Sequence, residues 1–214
     1  MTPGLHIVPS PRGRPRTGGL RARILTVAER TFADRPFHEV RMDDVALKSG
    51  VAKGTLYLYF AGKRELYLAV LFEGMEQLRR ALAAVATAPA QPLDRLRATV
   101  SCLLEHLWRR RAFFGLLLRH DLQLEPHETR QWLRRRERLS AVVRSTIAGA
   151  IGTGQLRRIA LGVGEEMLLG IVRGVHVTRH AGANAGRVEE AMDLFLHGTA
   201  APARRWVARR KTAR

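Results

Sequence analysis

Several features that would mark other classes of protein are missing from this sequence. It contains a single cysteine, Cys102, so a disulfide within one chain is impossible and a reducing compartment is indicated. No apolar run approaches the roughly 20 residues that a membrane-spanning helix needs. The first residues form no continuous apolar stretch of the kind found in secretory signals. We therefore expect a cytoplasmic protein that does not bind membranes.

Motifs for catalysis and cofactor binding are also absent. The sequence has no glycine-rich phosphate loop, no HExxH and no CxxC. His120 and Asp121 are adjacent in sequence, which does not bring their side chains together, and the pair Glu165 and Glu166 is typical of a helix surface. We expect no enzyme, no cofactor and no bound metal.

Acidic residues are scarce compared with basic ones. The chain has 37 Lys and Arg against 19 Asp and Glu, a formal net charge of +18, and no acid precedes Glu29. Such a balance suits a polyanionic partner, either nucleic acid or an anionic membrane surface. Because the excess is spread along the chain, position rather than total charge must identify a site.

Helical spacing of apolar residues dominates what is present, and no segment alternates like a strand. The sequence predicts an all-α protein. The helices are expected at about 20–33, 43–49, 54–60, 63–85, 93–110, 112–120, 127–151, 161–181 and 187–199.

Two short helices joined by a tight turn, over 42–60, predict a helix-turn-helix, whose second helix can enter the major groove of DNA. Val45 and Ala46 are expected to pack under that second helix, while Gly50 permits the turn. Leu56 and Phe60 lie four residues apart and are expected to face the core.

This stretch resembles the tetracycline-repressor (TetR) family of bacterial transcription regulators over roughly residues 20–70. The residues that carry the resemblance are Ile24, Ala28, Phe32, Asp44-Val45-Ala46, Ser49-Gly50-Val51, Gly54-Thr55-Leu56-Tyr57, Tyr59-Phe60 and Lys63-Arg64-Glu65-Leu66. The remainder of the chain is similar only in length and helical character. The resemblance implies a homodimer that binds a near-palindromic, double-stranded DNA operator and responds to a small molecule.

Carried over by position, the resemblance also assigns DNA contacts. Lys53, Thr55 and Tyr59 would contact base edges or adjacent phosphates, Tyr57 and Lys63 would hold the DNA backbone, and Leu58 would touch a thymine methyl. The full expected set is Arg41, Lys53, Gly54, Thr55, Tyr57, Leu58, Tyr59 and Lys63. Core packing of the tyrosines and simple solvation of the lysines are the alternatives.

Two positions depart from the family pattern. Members usually carry Thr or Ser where this chain has Arg41, which can reach a phosphate but cannot cap a helix, so capping falls to Asp43 or to water. The turn often carries Ser where this chain has Ala52, which removes the expected cap of the second helix.

Both ends of the chain are basic. Residues 1–18 read as a flexible arm in which Arg12 and Arg14 can enter a minor groove, as in an AT-hook, or remain solvated. Residues 204–214 form a basic tail for which the same two alternatives apply.

The C-terminal part offers weaker signals. Six side chains are candidates for lining a ligand pocket, although each type is more often plain core: Cys102, His106, Trp108, Phe113, Trp132 and Met167. The run Arg134-Arg135-Arg136 with Arg138 indicates a solvated helix face, with an anionic ligand pocket as the alternative.

A dimer interface is expected on the last two helices. Gly170 and Gly174 lie one turn apart in a helix, where glycine costs about 1 kcal/mol relative to Ala, so they favour the close approach of another helix. With Leu194 on the next helix they resemble the family's dimer interface. The alternative is that the glycines accommodate a neighbour within the same chain.

The sequence therefore predicts a helix-turn-helix domain at 19–65 and a helical ligand-binding and dimerisation domain at 66–203. The expected function is a ligand-responsive, sequence-specific regulator, with repression preferred over activation and the effector unknown. The alternatives are a ligand-independent architectural DNA-binding factor, and an enzyme or carrier that has lost DNA binding.

Overall fold

The computed structural model describes residues 17–118, 123–178 and 184–197, and these ranges are helical without any strand. The helices are α1 (Thr17–Asp34), α2 (Met42–Ser49), α3 (Lys53–Tyr59), α4 (Lys63–Ala86), α5 (Pro92–Arg109), α6 (Arg111–Leu118), α7 (Pro126–Gly152), α8 (Leu161–Thr178) and α9 (Asn184–His197). The all-α prediction is confirmed.

The helix starts agree with the sequence prediction to within about three residues. The predicted ends of α6, α8 and α9, at 120, 181 and 199, lie outside the described residues. A short 3-10 turn at Phe37–Glu39 was not predicted, because three residues are too few to show a periodicity.

The chain divides into two compact units between Val70 and Leu71. In the N-terminal unit, Ile24, Ala28 and Phe32 recur at every fourth position of α1 and are all buried. The Phe32 ring meets Tyr67 edge to face with centroids 5.0 Å apart. The N-terminal unit thus has an aromatic core of its own.

The C-terminal unit is organised around α5, which contacts α6, α7, α8 and α9. Proline at its first position and Asp94 in its first turn favour the start of this helix. Its buried stripe recurs at helical spacing and consists of Leu96, Val100, Leu103, Leu104 and Leu107. The apolar faces of α7, α8 and α9 close over that stripe to form one cluster.

Gly74 of α4 marks a close approach within this unit. A Cβ added there would lie 2.3 Å from Cε2 of Phe113 and 2.8 Å from its Cζ. Phe113 is fully buried, with the His106 ring edge-on to it and the Arg110 guanidinium 5.0 Å from its centroid. The ring is buried among these neighbours, so the absence of a side chain at position 74 is a packing requirement.

We predict that Gly74→Ala lowers the free energy of unfolding by about 1–3 kcal/mol, the usual cost of overpacking a filled core. The measurement is chemical denaturation followed by circular dichroism. The control is Gly115→Ala, since a Cβ at this helical position finds no atom within 4 Å and better helix propensity should stabilise by up to about 1 kcal/mol. Equal stability of the two variants would contradict the packing argument.

Candidate functional site

The turn between α2 and α3 has the geometry that a helix-turn-helix requires. Gly50 adopts φ +62°, a left-handed conformation that glycine accepts without strain. The Gly50 and Val51 amides donate to Leu47 and Ala46 carbonyl oxygens, both at 3.0 Å, and these bonds close α2. The side of α3 that carries Leu56 is buried, as is Phe60 directly after the helix, which confirms the predicted inner face.

The opposite side of α3 is open to solvent. Leu58 is 86% exposed and Tyr57 is 43% exposed, while Lys53 and Gly54 are also exposed. Thr55 and Tyr59 are half-buried, and the Tyr59 ring lies 6.4 Å from that of Phe60. The α3 predictions therefore separate into four outward-facing residues and two on the border of the core.

Lys53 does not project alone. Its Nζ lies 2.9 Å from Oδ1 of Asp43 and donates a hydrogen bond to Oδ2 at 3.2 Å. This carboxylate raises the pKa of the Lys53 ammonium, whereas the positive charge of nearby Arg41 lowers it. Arg41, Asp43 and Lys53 therefore form one charged group beside Tyr57, and sequence reasoning had assigned Asp43 no part in it.

Both helices of the motif begin without a side-chain cap. Arg41 and Ala52 are the N-cap residues of α2 and α3, and neither makes a capping hydrogen bond. The side chain of Asp43, expected to substitute as a cap, is engaged with Lys53 instead. At both positions that depart from the family pattern, the helix therefore begins without a capping side chain.

Lys63, the first residue of α4, interacts with two residues of the 3-10 turn. Its Nζ donates to the carbonyl oxygen of His38 at 3.0 Å and lies 4.7 Å from the centroid of the Phe37 ring. A phosphate contact by Lys63 would have to share or replace these interactions. The unpredicted 3-10 turn supplies both of them.

Leu47 of α2 is an exposed apolar residue that sequence reasoning missed. It is 82% exposed, beside a helix face on which Val45, Ala46 and Ser49 are buried. Leu47 lies off the buried stripe of α2, and this position in the sequence could have predicted its exposure. Arg12 and Arg14, with the rest of residues 1–16 and the tail, lie outside the described residues. The predicted arm of residues 1–18 is wrong at its last two positions, because α1 begins at Thr17.

In the C-terminal unit, α7 and α8 border a groove of about 940 Å³. Its walls combine apolar side chains (Leu133, Val163 and Met167) with two ion-paired arginines. Arg136 Nη2 donates a hydrogen bond to Oε1 of Glu166 at 2.7 Å. Arg144 donates to Oε2 of the buried Glu165 at 2.8 Å and also to Glu137. The groove is therefore amphipathic, and its two arginines stand against three glutamates, Glu137, Glu165 and Glu166.

The six predicted ligand residues do not converge on this groove, which only Met167 among them lines. Cys102 and Trp132 are half-buried, and Phe113 fills the space over Gly74. Trp108 is 39% exposed, and the Arg187 guanidinium lies 4.9 Å from its ring centroid.

His106 is the most unusual of these candidates. Burial, assisted by the charge of Arg110, lowers the pKa of His106 to about 4, so its ring is neutral at pH 7. Its Nε2 is buried and has no hydrogen-bond partner among the described residues, and the same is true of Nδ1 of His176 on α8. A buried polar atom without a partner is costly, and a bound polar group would remove that cost.

The glycines of α8 differ in their surroundings. A Cβ on Gly164 would lie 2.7 Å from Cδ1 of Ile159, so this glycine serves packing within the chain. A Cβ on Gly170 or Gly174 would meet no atom within 4 Å. Leu194, by contrast, is half-buried against the core of its own unit.

The described ranges contain neither a metal-binding cluster nor a membrane-spanning helix. No three His, Cys, Asp or Glu side chains lie together in an arrangement that could hold a metal ion. Every helix in these ranges is too short or too polar to cross a bilayer.

Comparison with known proteins bears on both units. Residues 24–70 match the family model of bacterial regulatory proteins of the tetR family, and residues 89–177 match a tetracyclin repressor-like C-terminal domain. The first match contains the helix-turn-helix, and the second contains α5–α7 and nearly all of α8.

Curated relatives share part of their length with this chain. The HTH-type transcriptional activator FasR of Mycolicibacterium smegmatis is 32% identical over 111 residues, which is 52% of this chain and 51% of FasR. The HTH-type transcriptional regulator EthR of Mycobacterium tuberculosis is 33% identical over 103 residues, 46% of this chain and 43% of EthR. The chain thus spans about half the length of these relatives.

Solved structures extend the likeness in fold to most of the chain. The TetR family regulator PfmR of Thermus thermophilus superposes with a TM-score of 0.74 at 20% identity, covering 85% of this chain and 97% of PfmR. The regulator FadR of Bacillus subtilis, solved with stearoyl-CoA, gives 0.72 at 16% identity, covering 84% and 99%. With both units matched by the family's models, this chain belongs to the TetR family of bacterial transcriptional regulators.

Proposed function

We propose that the chain is a cytoplasmic, effector-responsive regulator that binds a palindromic DNA operator as a homodimer. The observation that carries the proposal is the two-sided character of α3. Leu56 fixes one side in the core, while Lys53, Tyr57 and Leu58 stand on the other. Two copies of this helix, one per protomer, would meet major-groove faces about 34–36 Å apart.

The exposed side chains of α3 suit both levels of DNA recognition. Leu58 exposes most of its apolar side chain to water, which is unfavourable. In a major groove the same side chain can pack on a thymine methyl. Tyr57 can donate its hydroxyl to a phosphate, which positions the helix without reading sequence. The net charge of +18 supplies a general attraction to DNA that should weaken steeply with salt.

Repression is the expected outcome of binding. Occluding a promoter requires only the DNA interface, whereas activation needs an additional surface for the transcription machinery. FasR, by its name an activator, is a relative for which the second route applies.

The exposed stripe of α8 supports the homodimer. Val163, Met167, Gly170, Gly174 and Val177 recur at helical spacing, and the three larger members are 48–59% exposed. No neighbour in the described chain requires Gly170 or Gly174 to lack a side chain. A helix of a second copy, approaching closely, accounts for glycines that otherwise only weaken α8.

The groove between α7 and α8 is the proposed effector site. Its volume lies within the range of small-molecule pockets. Apolar walls beside Arg136 and Arg144 suit a molecule with an apolar body and an anionic end, which would replace Glu166 or Glu137 as the partner of a guanidinium group. The stearoyl-CoA named for FadR of B. subtilis has that chemistry. Because Val163 and Met167 belong to both groove and stripe, an effector bound there would alter how two copies pack.

His106 is a second proposed ligand contact. Its buried and unpartnered Nε2 is the strongest support among the five predicted residues away from the groove. Cys102, Trp108, Phe113 and Trp132 have no comparable support.

The test of DNA binding uses a duplex recovered by the full-length protein from a random-sequence library, together with a shuffled version of it. We predict that Leu58→Ala lowers the affinity for the recovered duplex about tenfold and for the shuffled duplex much less, because base contacts carry sequence information. Tyr57→Ala should weaken both about equally, as loss of a phosphate contact does. Fluorescence anisotropy measures both affinities.

Leu161→Ala is the control, since this leucine is 38% exposed in the C-terminal unit, does not line the proposed effector groove and should leave DNA binding unchanged. Unchanged affinities for both α3 variants would contradict the proposed interface. Equal binding of the two duplexes by the wild-type protein would favour an architectural DNA-binding factor.

For the homodimer, we predict that Gly174→Leu shifts the protein to monomers at micromolar concentration, because the new side chain separates the two α8 helices. Sedimentation velocity measures the mass. Gly19→Leu, at an exposed position of α1 where a Cβ meets no atom within 4 Å, adds the same bulk and should sediment as wild type. A Gly174→Leu protein that remains dimeric would exclude this face of α8 from the interface.

A further inference from the structure

We propose that Asp43 determines DNA specificity by positioning Lys53. Its carboxylate holds the Lys53 ammonium beside the first turn of α3 and thereby withholds it from phosphates of unrelated DNA. The inference rests on the proposed DNA-binding function, and it assigns a role to an acidic residue within an otherwise basic interface.

The geometry of the pair supports positioning. Lys53 Nζ approaches both carboxylate oxygens of Asp43, at 2.9 and 3.2 Å, so the flexible lysine stem is held in one direction. Asp43 lies in the first turn of α2, and Lys53 is the first residue of α3. The contact therefore joins the two helices across the turn, at the end of α3 that is expected to enter the groove.

A role in stability does not explain the pair well. The side chains of Lys53 and Asp43 are 63% and 48% exposed, and ion pairs this exposed contribute little to folding. The Asp43 carboxylate also lies on the proposed DNA-binding surface, where its negative charge repels the phosphates of any DNA. Such a group lowers affinity for all DNA unless the correct sequence compensates for it.

Base edges can provide that compensation, whereas phosphates cannot. A lysine ammonium can donate to guanine O6 and N7, and a carboxylate can accept from cytosine N4. In the correct groove both members of the pair therefore find partners, whereas on unrelated DNA the carboxylate only repels. Specific recognition commonly combines an attractive element with a repulsive one in this way.

The chain contains a matched control for the loss of charge. Asp44 is the next residue in the same first turn of α2, and its Oδ2 lies 3.5 Å from Nη1 of Arg35. Asp44 makes no hydrogen bond or ion pair with α3 among the described residues, so Asp44→Asn removes the same charge from the same helix end without releasing Lys53.

The experiment compares the full-length wild type, Asp43→Asn and Asp44→Asn on the library-recovered duplex and on its shuffled version, from 50 to 200 mM salt. We expect Asp43→Asn to bind the shuffled duplex about tenfold more tightly. It should bind the recovered duplex within about threefold of wild type, because the amide oxygen of the new side chain can still accept from cytosine N4. The salt dependence on the shuffled duplex should steepen by about one phosphate contact, because the released lysine gains one. Asp44→Asn should change neither measure by more than about threefold.

A second comparison tests whether Asp43 acts through Lys53. In a Lys53→Gln background, Asp43→Asn should have no larger effect than Asp44→Asn has in the wild type. Equal effects of the two Asn variants, or a full Asp43→Asn effect without the lysine, would overturn the inference while leaving DNA binding intact. Failure of the wild type to enrich or bind any duplex would overturn the proposed function and this inference with it.

Discussion

The burial of Leu56 and Phe60 is the constraint on which the N-terminal unit depends. Each is almost completely removed from water, which stabilises the unit by about 1.5–3 kcal/mol per side chain. Turning α3 by half a revolution would expose Leu56 and bury Lys53 and Tyr57, so that orientation is strongly disfavoured. The side of α3 that faces outward is therefore decided by core packing, before any DNA contact is made.

With that orientation fixed, the chemistry of the outer face follows from few side chains. Under the proposed function, general attraction to DNA comes from basic residues along the whole chain, whereas discrimination between sequences comes from the small surface around Lys53 and Leu58. The C-terminal unit shows a similar division between a closed core around α5 and an exposed stripe on α8. In both units the core fixes which residues remain for partners.

Most of the fold could be predicted from the sequence because it depends on local periodicity. The burial of Ile24, Ala28 and Phe32 follows from their spacing, and the turn follows from Gly50. Contacts between distant positions could not be predicted in this way. Three such contacts join residues that are 10, 25 and 39 positions apart: the Asp43–Lys53 ion pair, the hydrogen bond from Lys63 to the His38 carbonyl oxygen, and the packing of Phe113 on Gly74. The scattered positions of Cys102 and Trp132 reflect the same limit, since residue type alone does not tell a pocket from a core.

Affinity cleavage from position 58 tests the central claim most directly. Cys102 is the only native cysteine, and burial raises the pKa of its thiol, so a Leu58→Cys, Cys102→Ser protein can carry an iron chelate at one chosen position. On a recovered duplex, we expect two cleavage maxima in the major groove, separated by about one helical turn. Cleavage spread evenly along the duplex, or none above the level of untethered iron chelate, would contradict that claim.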